Sequence, residues 1–445
     1  MIVRAFLIIA TFLLLIAVLS NTPLPFMHKN IASEKPSEPS PSQTVRLQDF
    51  GTLSPAQTNK KDSVIMNDPA LHKMWGLEKA NALDAWQLSQ GSRHIIVAIV
   101  DTGIDINHPD LKNNLWVNPG ESGLDKFGNN KATNGIDDDN NGFIDDVHGW
   151  NFVHNNNHIK DNHNHGTHIA GIVGAEGGNN FGITGIAPKV SLMILKYYDP
   201  NSGSNNLINT IKAFDYAVKM NAHVINYSGG GTEFSKPEFE AVKRAEQKGI
   251  LFVAAAGNEY SNSDIKKYYP ADYDLDNIIS VTAIDPDLRV LSTSNYGVRT
   301  VDIAAPGENI YSTLPGGGFG NMTGTSQATA FVSGVAALLM AHNRDFDAKA
   351  VRKYILKTGD SLDWLKDKTR TSKKLNIYRT LTMLDQGVGA SGIVANNTSS
   401  SDAEFFASPT EEKKGPSSLQ SFGENLLKAM EKETSENTLK KPANQ

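Results

Sequence analysis

The chain has 445 residues, of which 39% are hydrophobic and 20% are charged. This length and composition allow at least one large buried core. The formal net charge is −6 at pH 7, which argues against nucleic acid as a partner because there is no basic excess to neutralise phosphates. The absence of cysteine excludes disulfides, thiolate catalysis and cysteine-bound zinc.

Residues 1–20 have the composition of an export signal. Arg4 precedes an apolar run over residues 5–19, and small residues at its end suit cleavage. The run is shorter than the roughly 20 residues that a spanning helix needs. A signal peptide is therefore favoured over an uncleaved N-terminal anchor, which would be the chain's possible attachment to a membrane. We expect an extracytoplasmic protein that is secreted, periplasmic or on the cell surface.

The rest of the chain divides by composition. Residues 21–66 are rich in Ser, Pro, Lys and Gln without sustained apolar periodicity, which predicts a disordered linker or a short pro-region. Residues 67–385 carry regular apolar patterns and form the predicted folded domain. Residues 386–445 are rich in Gly, Ser, Asn, Glu and Lys, which predicts a disordered tail.

Within 67–385, strand-like and helix-like runs alternate. Strands are predicted over 95–100, 190–195, 224–227, 251–256 and 278–284, and helices over 169–175, 207–220, 237–247, 328–341 and 348–357. The strand runs are apolar nearly throughout, as expected when helices cover both faces of a parallel sheet. We predict a three-layer α/β/α domain with a mostly parallel central sheet and a buried central helix over 328–340.

Three short segments place an Asp, a His and a Ser beside small residues: Val100-Asp101-Thr102-Gly103, His165-Gly166-Thr167-His168 and Gly324-Thr325-Ser326. Peptide hydrolysis by acyl transfer needs a nucleophile, a base, a group that orients the base and donors for an oxyanion. The chain order Asp, His, Ser is that of subtilisin. The chain therefore resembles the subtilisin-like serine proteases, the subtilase or peptidase S8 family.

The resemblance implies a serine endopeptidase that works through an acyl-enzyme on polypeptides with extended or unfolded segments. It assigns Asp101 as the orienting carboxylate, His165 as the base and Ser326 as the nucleophile. Asn258, which follows a run of small residues after a predicted strand, takes the role of the oxyanion donor. The family's second histidine corresponds to His168, for which we predict a packing role.

The resemblance also assigns the segments that bind the substrate backbone: Ser228, Gly229 and Gly230 on one side and Ala255 and Gly257 on the other. Gly229 stands where the family usually has Leu, so a wall of the adjoining subsite is expected to be missing. Tyr268-Tyr269-Pro270 matches the far wall of the pocket for the residue before the scissile bond. A bulky Tyr268 would make that pocket shallow.

Two other functions compete with this interpretation. The histidines at 154, 158, 163, 165 and 168 could form a zinc cluster, but that would leave the Asp and Ser segments unexplained. A catalytically inactive subtilisin-like binding module would keep the fold without the chemistry. The intact set of Asp, His, Ser and Asn favours the enzyme.

The acidic segment 137–146 is the second specific signal. Oxygen-bearing residues at alternate positions, with a glycine at the sixth, suit a calcium loop. The predicted ligands are Asp137, Asp139, Asn141, the carbonyl of Phe143 and Asp145, and a solvated acidic turn is the alternative. Resemblance to the family adds a second calcium site with Asp110 and Asn180. Calcium is expected to be structural, and the chemistry needs no cofactor.

Overall fold

The structure is a computed structural model that describes residues 66–385. The predicted signal peptide, the tail and all but the last residue of the predicted linker lie outside the described residues. The domain boundaries drawn from composition therefore stay predictions. Between residues 66 and 385, no helix has both the length and the apolar character needed to cross a membrane.

Parallel strands form the centre of the described part of the chain. The strands are β1 (Gly91–Asp101), β2 (Gly149–Asn151), β3 (Lys189–Lys196), β4 (Val224–Tyr227), β5 (Leu251–Ala255), β6 (Ile278–Ile284), β7 (Ile303–Pro306), β8 (Ile310–Leu314), β9 (Gly318–Met322), β10 (Asp360–Ser361) and β11 (Lys373–Lys374). Nine of them form one sheet in the order β10-β11-β7-β6-β5-β4-β1-β3-β2, while β8 and β9 form an antiparallel hairpin. In the large sheet only the β10–β11 pair is antiparallel.

The helices follow the strands in alternation. They are α1 (Trp75–Lys79), α2 (Ala82–Ala85), α3 (His165–Gly174), α4 (Asn206–Lys219), α5 (Lys236–Gln247), α6 (Thr325–His342), α7 (Ala348–Thr358) and α8 (Ile377–Asp385), with short 3₁₀ turns at Leu71–Lys73, Lys112–Asn114, Lys131–Thr133 and Asp363–Leu365. Side-chain oxygens cap the N-termini of several helices: Asn205 caps α4, Ser235 caps α5 and Asp347 caps α7. These helices cover both faces of the sheet.

The two hydrophobic layers can be followed along β1. Val97 and Ile99 belong to the core shared with α3 and α6, whereas Ala98 and Val100 belong to the core shared with α4 and α5. Successive side chains of a strand point to opposite faces of a sheet, so a continuous apolar run builds both layers at once. The predicted fold class, an α/β domain with a mostly parallel central sheet, is confirmed.

The sheet order also determines where a ligand can bind. β1 pairs with β3 on one side and with β4 on the other, so the chain winds outward from β1 in both directions. Ligands bind beyond the carboxyl ends of the strands at such a switch point. Asp101 is the last residue of β1, and β4 and β5 end at Tyr227 and Ala255.

Candidate active site

Asp101 and His165 form a buried pair at this edge of the sheet. The Oδ1 atom of Asp101 lies 2.7 Å from Nδ1 of His165, and the two residues are 3% and 7% exposed. The same Oδ1 accepts the backbone N–H of Thr102 at 2.8 Å. Asp101 ends β1 and His165 begins α3, so two elements far apart in sequence meet through this contact.

A second buried carboxylate, Asp161, was not predicted from the sequence. It links the residue that follows β1 to the start of α3. The Oδ1 atom of Asp161 accepts the hydroxyl of Thr102 at 2.9 Å. Its Oδ2 atom accepts the backbone N–H of Thr167 at 2.9 Å and the Thr167 hydroxyl at 2.7 Å. The Thr102 hydroxyl in turn accepts the Gly166 N–H at 2.9 Å. The sequence signal that could have identified Asp161 is its position four residues before His165, the first residue of α3.

Ser326 is the second residue of α6 and is buried. Its Oγ donates to the carbonyl oxygen of Ser228 at 3.2 Å, and the Ser228 hydroxyl donates to the carbonyl oxygen of Ser326 at 3.4 Å. The N-terminus of a helix presents backbone N–H groups and the positive end of the helix dipole. Ser326 therefore lies beside the first of the two predicted substrate segments, at a position suited to a developing anion.

Asn258 lies in the loop after β5, next to the start of α6. Its Oδ1 atom accepts the backbone N–H of Thr325 at 3.0 Å and the Thr325 hydroxyl at 3.1 Å. Both donors contact the oxygen, which fixes which side of the amide carries the Nδ2 donor. The amide is thereby oriented by the residue that precedes Ser326.

A second missed residue, Asn295, organises the loop that carries Asn258. Its Oδ1 atom accepts the N–H groups of Glu259 and Ser261 at 3.1 and 2.8 Å. Its Nδ2 donates to the Ala256 carbonyl at 2.8 Å and to the Glu259 carboxylate at 2.6 Å. Asn295 is distant in sequence and has no motif around it, so only the folded structure identifies it.

The predicted substrate segments lie on the two sides of the region next to Ser326. Gly231, which follows the first segment, forms an antiparallel bridge with Tyr269, with N–H to carbonyl distances of 2.8 and 2.7 Å. A Cβ at Gly229 would lie 2.5 Å from the hydroxyl oxygen of Tyr197 and 2.9 Å from Cζ of Tyr227. Two tyrosine side chains thus occupy the space where the family's Leu would start. Ala255 and Gly257 form the opposite segment.

Two histidines of the alternative zinc site, His165 and His168, have separate partners. His168 is fully buried, and its Nε2 lies 2.9 Å from the carbonyl oxygen of Ile310. Burial lowers the pKa of His168 to about 3, which keeps it neutral. Among residues 66–385, the group whose ligand atoms converge within 4.8 Å is acidic and contains no histidine.

That acidic group consists of Glu121, Asp137 and Asp139. Glu121 is fully buried, and its Oε2 atom has no hydrogen-bond partner. Burial raises the pKa of Glu121, and the charges of Asp146 and Asp139 add to that rise. Carboxylate oxygens are the ligands that Ca²⁺ prefers, so an orphaned buried oxygen between two further carboxylates fits a cation. Glu121 lies 16 residues before the loop and was not predicted.

The other predicted members of the loop have different partners. Asn141 donates through Nδ2 to Asp146 Oδ2 at 2.9 Å, and Asp145 accepts the Gly135 N–H at 3.2 Å. The ring of Phe143 packs edge-on against Trp150, Phe152 and Tyr216, which anchors the loop to the core. The structure brings Asp137 and Asp139 together, while the ligand roles of Asn141, Phe143 and Asp145 stay predictions.

The second predicted calcium site centres on Asp110, which is fully buried. Its carboxylate accepts the Asn179 side-chain amide at 2.9 Å and the Ile183 N–H at 2.9 Å. Asn180 is exposed, and its N–H donates to the side chain of Asn67 at 3.1 Å. Burial, with some contribution from the charge of Asp68, raises the pKa of Asp110 to about 6. Asp110 is thus seated among chain donors, and its role as a ligand stays a prediction.

Comparison with known proteins identifies the family to which this fold and this arrangement belong. Residues 92–399 match the family model of the subtilase family. The chain belongs to the subtilase family. The match covers more than half of the chain and includes β1, α3 and α6, the elements that carry Asp101, His165 and Ser326. The predicted resemblance is confirmed at the level of the family.

Named relatives agree with this membership. The subtilase is 36% identical to thermitase of Thermoactinomyces vulgaris over 313 residues, 69% of this chain and 98% of thermitase. It is 33% identical to subtilisin-like protease 1 of Plasmodium berghei over 312 residues, 66% of this chain and 51% of that protein. The chain spans about half the length of the Plasmodium relatives that it matches.

A solved structure shares the fold of the subtilase. It is described as proteases from Pseudoalteromonas arctica, with a TM-score of 0.56 and 23% sequence identity. The alignment covers 72% of this chain and 99% of that chain. This likeness concerns the path of the backbone and supports the three-layer assignment.

Proposed function

We propose that this subtilase is a serine endopeptidase that hydrolyses peptide bonds through an acyl-enzyme. The observation that carries the proposal is the buried contact of 2.7 Å between Asp101 Oδ1 and His165 Nδ1. With Nδ1 bound to a carboxylate, proton exchange with the nucleophile and the leaving group falls to Nε2. The relatives named as proteases support the same activity.

In the proposed reaction, Ser326 Oγ attacks the carbonyl carbon of the substrate while its proton passes to His165 Nε2. Asp101 orients the ring and stabilises the imidazolium that forms. The negative charge on the substrate oxygen is bound by Asn258 Nδ2 and by the backbone N–H of Ser326. Collapse of this intermediate breaks the C–N bond, and His165 returns its proton to the leaving amine. Water then hydrolyses the ester by the same steps.

Substrates are proposed to be polypeptides with extended or unfolded segments. The segments 228–230 and 255–257 offer backbone groups that can pair with an extended chain on both sides. A folded protein keeps its backbone groups paired internally, so cleavage is expected mainly in loops and unfolded regions. We propose no nucleic-acid partner, in agreement with the net charge of −6.

We further propose that the group of Glu121, Asp137 and Asp139 binds a structural Ca²⁺, with Asn141, Asp145 and the Phe143 carbonyl as the other ligands predicted from the sequence. The convergence of three carboxylates and the orphaned Glu121 oxygen support a cation there. The ion would neutralise the mutual repulsion of these groups and would take no part in the chemistry. A second calcium at Asp110 and Asn180 is proposed on resemblance.

The proposed site of action is outside the cytoplasm, because residues 1–20 resemble an export signal. N-terminal sequencing of protein recovered from the periplasm, the cell surface or the medium tests this. We expect the mature chain to begin after residue 20, or later if the 21–66 segment is also removed. An intact Met1 on protein found only in the cytosol would contradict the proposal.

A fluorophosphonate probe separates the enzyme from an inactive binding module. We expect labelling of the mature protein at Ser326, identified by mass spectrometry, and loss of labelling in Ser326→Ala. Ser228→Ala is the matched control, because it removes a neighbouring hydroxyl and leaves the proposed nucleophile in place. Folded, mature protein that the probe does not label would favour the binding module.

A further inference from the structure

The space next to Ser326 is bounded by the two substrate segments. Ser228 contacts Ser326 through reciprocal hydrogen bonds, and Ala255 and Gly257 directly precede Asn258. A scissile carbonyl held between Ser326 Oγ and Asn258 Nδ2 must therefore place the preceding side chain, the P1 side chain, between these segments. What lies between them determines which P1 residues can be accepted.

The ring of Tyr268 lies between the two segments. A Cβ built on Gly230 would lie closer than 3.0 Å to Tyr268 Cε1, and one built on Gly257 would lie 2.9 Å from Tyr268 Cε2. The two opposite edges of one ring thus contact the two opposite segments. Tyr268 is only 4% exposed, so the ring is packed into this space and does not lie over it.

The backbone around Tyr268 is fixed on both sides. Its N–H donates to Asp272 Oδ2 at 2.8 Å, and the Asp272 N–H donates back to the Tyr268 carbonyl at 3.0 Å. The next residue, Tyr269, is bridged to Gly231 by two backbone hydrogen bonds. The backbone that carries the ring is therefore held next to the first substrate segment.

Two further tyrosines, Tyr197 and Tyr227, lie against Gly229 in the first substrate segment. The Tyr197 hydroxyl lies 2.5 Å from where a Cβ at Gly229 would be, and burial raises the pKa values of Tyr197, Tyr227 and Tyr268. Tyrosines in such surroundings stay neutral at physiological pH. The wall of the site is therefore built of uncharged aromatic groups, and the ring of Tyr268 takes up the space between the two substrate segments.

From this geometry we propose that Tyr268 closes the P1 pocket and makes the enzyme specific for cleavage after Gly, Ala or Ser. The inference rests on the proposed function, because it concerns the substrate of the same site. A hydrogen, a methyl or a hydroxymethyl group fits against the ring, whereas Leu, Phe, Lys or Arg would have to displace it. Forcing extra methylenes into a filled site is unfavourable, because the surrounding side chains and backbone must shift.

The test compares peptides that are identical except for Ala, Leu, Phe or Lys at P1. For the wild type we expect kcat/KM with Ala to exceed that with Phe about 100-fold or more, since one excess methylene already costs about 10- to 200-fold. Tyr268→Gly should raise the ratio of kcat/KM with Phe to kcat/KM with Ala about 100-fold, because the space that the ring leaves admits the larger side chain and no longer packs against the methyl group. Tyr268→Phe, which keeps the ring, should retain the preference for Ala.

Mapping the cleavage sites in a denatured protein by mass spectrometry gives a second measurement that needs only the wild type. Cleavage mainly after Gly, Ala and Ser supports the proposal, whereas cleavage after Phe, Leu, Lys or Arg at similar rates overturns it. An unchanged P1 profile in a folded, probe-reactive Tyr268→Gly variant would overturn it as well. Labelling of Ser326 separates a failure of this specificity proposal from a failure of the proposed function. If folded, mature wild-type protein is neither labelled nor active, the proposed function itself is wrong.

Discussion

Two sets of carboxylates in this molecule have different partners. At the candidate active site, Asp101 accepts the His165 ring N–H and the Thr102 N–H. Asp161 accepts the hydroxyl of Thr102, which follows β1, and the N–H and hydroxyl of Thr167 in α3. In the acidic loop, three carboxylates converge, and one oxygen of the fully buried Glu121 has no partner.

The first set of carboxylates is bound by hydrogen-bond donors from the chain itself. The second set needs a cation to balance its charge and to bind its unpaired oxygen. Donors from the chain satisfy the carboxylates around His165, so their geometry is set when the protein folds. A buried acceptor without a partner costs about 1–3 kcal/mol, and convergent negative charges add repulsion. The acidic loop therefore has a reason to bind a cation, whereas the carboxylates of Asp101 and Asp161 are already bound by donors from the chain.

The largest effect is expected when the contact between Asp101 and His165 is altered. Asp101→Asn keeps the shape of the side chain but replaces the carboxylate that selects the His165 tautomer, so kcat should fall about 10⁴-fold. Activity assays together with thermal unfolding check this. The melting temperature should change little, and its response to EDTA should stay that of the wild type. A loss of less than about tenfold would contradict the assigned role.

The oriented amide of Asn258 gives the next effect. Asn258→Ala should lower kcat about 10²- to 10³-fold, the loss found for the corresponding oxyanion donor of subtilisin. Asn258→Asp is the sharper variant, because it can keep the contacts to Thr325 while placing a negative charge where the oxyanion forms. It should lose at least as much activity with little change in stability. Activity retained by Asn258→Asp would rule out the oxyanion role.

Glu238 tests what burial does to a carboxylate that has one side-chain donor. It is 5% exposed and accepts the Tyr273 hydroxyl at 2.8 Å, and burial raises its pKa from 4.5 to about 7. The folded state therefore binds more protons than the unfolded state between these values, so the free energy of unfolding should fall as pH rises from about 4.5 to 7. The fall attributable to Glu238 is up to about 3 kcal/mol.

Glu238→Gln keeps an acceptor for Tyr273 and removes the titration. Chemical denaturation at pH 5 and pH 8 should show that its advantage over the wild type is larger at pH 8. Glu240→Gln on the same helix is the matched control and should follow the wild type at both pH values. An equal effect of Glu238→Gln at both pH values would show that Glu238 is not titrating in this range.

Removal of calcium should have the smallest effect. An ion that binds only the folded state at 100 times its dissociation constant adds about 2.7 kcal/mol to the free energy of unfolding, so EDTA should lower the melting temperature by about 4 °C. Glu121→Gln should reduce that response by the share of the acidic-loop site, whereas Asp287→Asn, at an exposed position, should preserve it. Metal analysis must first establish that the protein is loaded with calcium. If EDTA then leaves its melting temperature unchanged, a structural ion is excluded.

Sequence reasoning succeeded where the information is local. The strand predicted over 224–227 and the strand predicted over 278–284 have the bounds found in the structure, because uninterrupted apolar runs specify strands covered on both faces. The apolar runs of two helices start later than the helices themselves: α3 begins at His165 and α6 at Thr325, three or four residues before their apolar patterns. The first turns of both helices carry polar site residues, so the apolar pattern that predicts a helix does not extend over them.

The sequence alone determined the fold class, the family and the side chains of the proposed triad, because these depend on apolar periodicity and on residue order along the chain. Only the tertiary structure decided which residues support them. Asp161 binds Thr102, Asn295 binds the loop of Asn258, and Glu121 lies next to Asp137 and Asp139; a carboxylate or amide carries no sign of such a partner in another segment. The same holds for Tyr268: its size can be read from the sequence, but its position between Gly230 and Gly257 results from three loops meeting at one edge of the sheet.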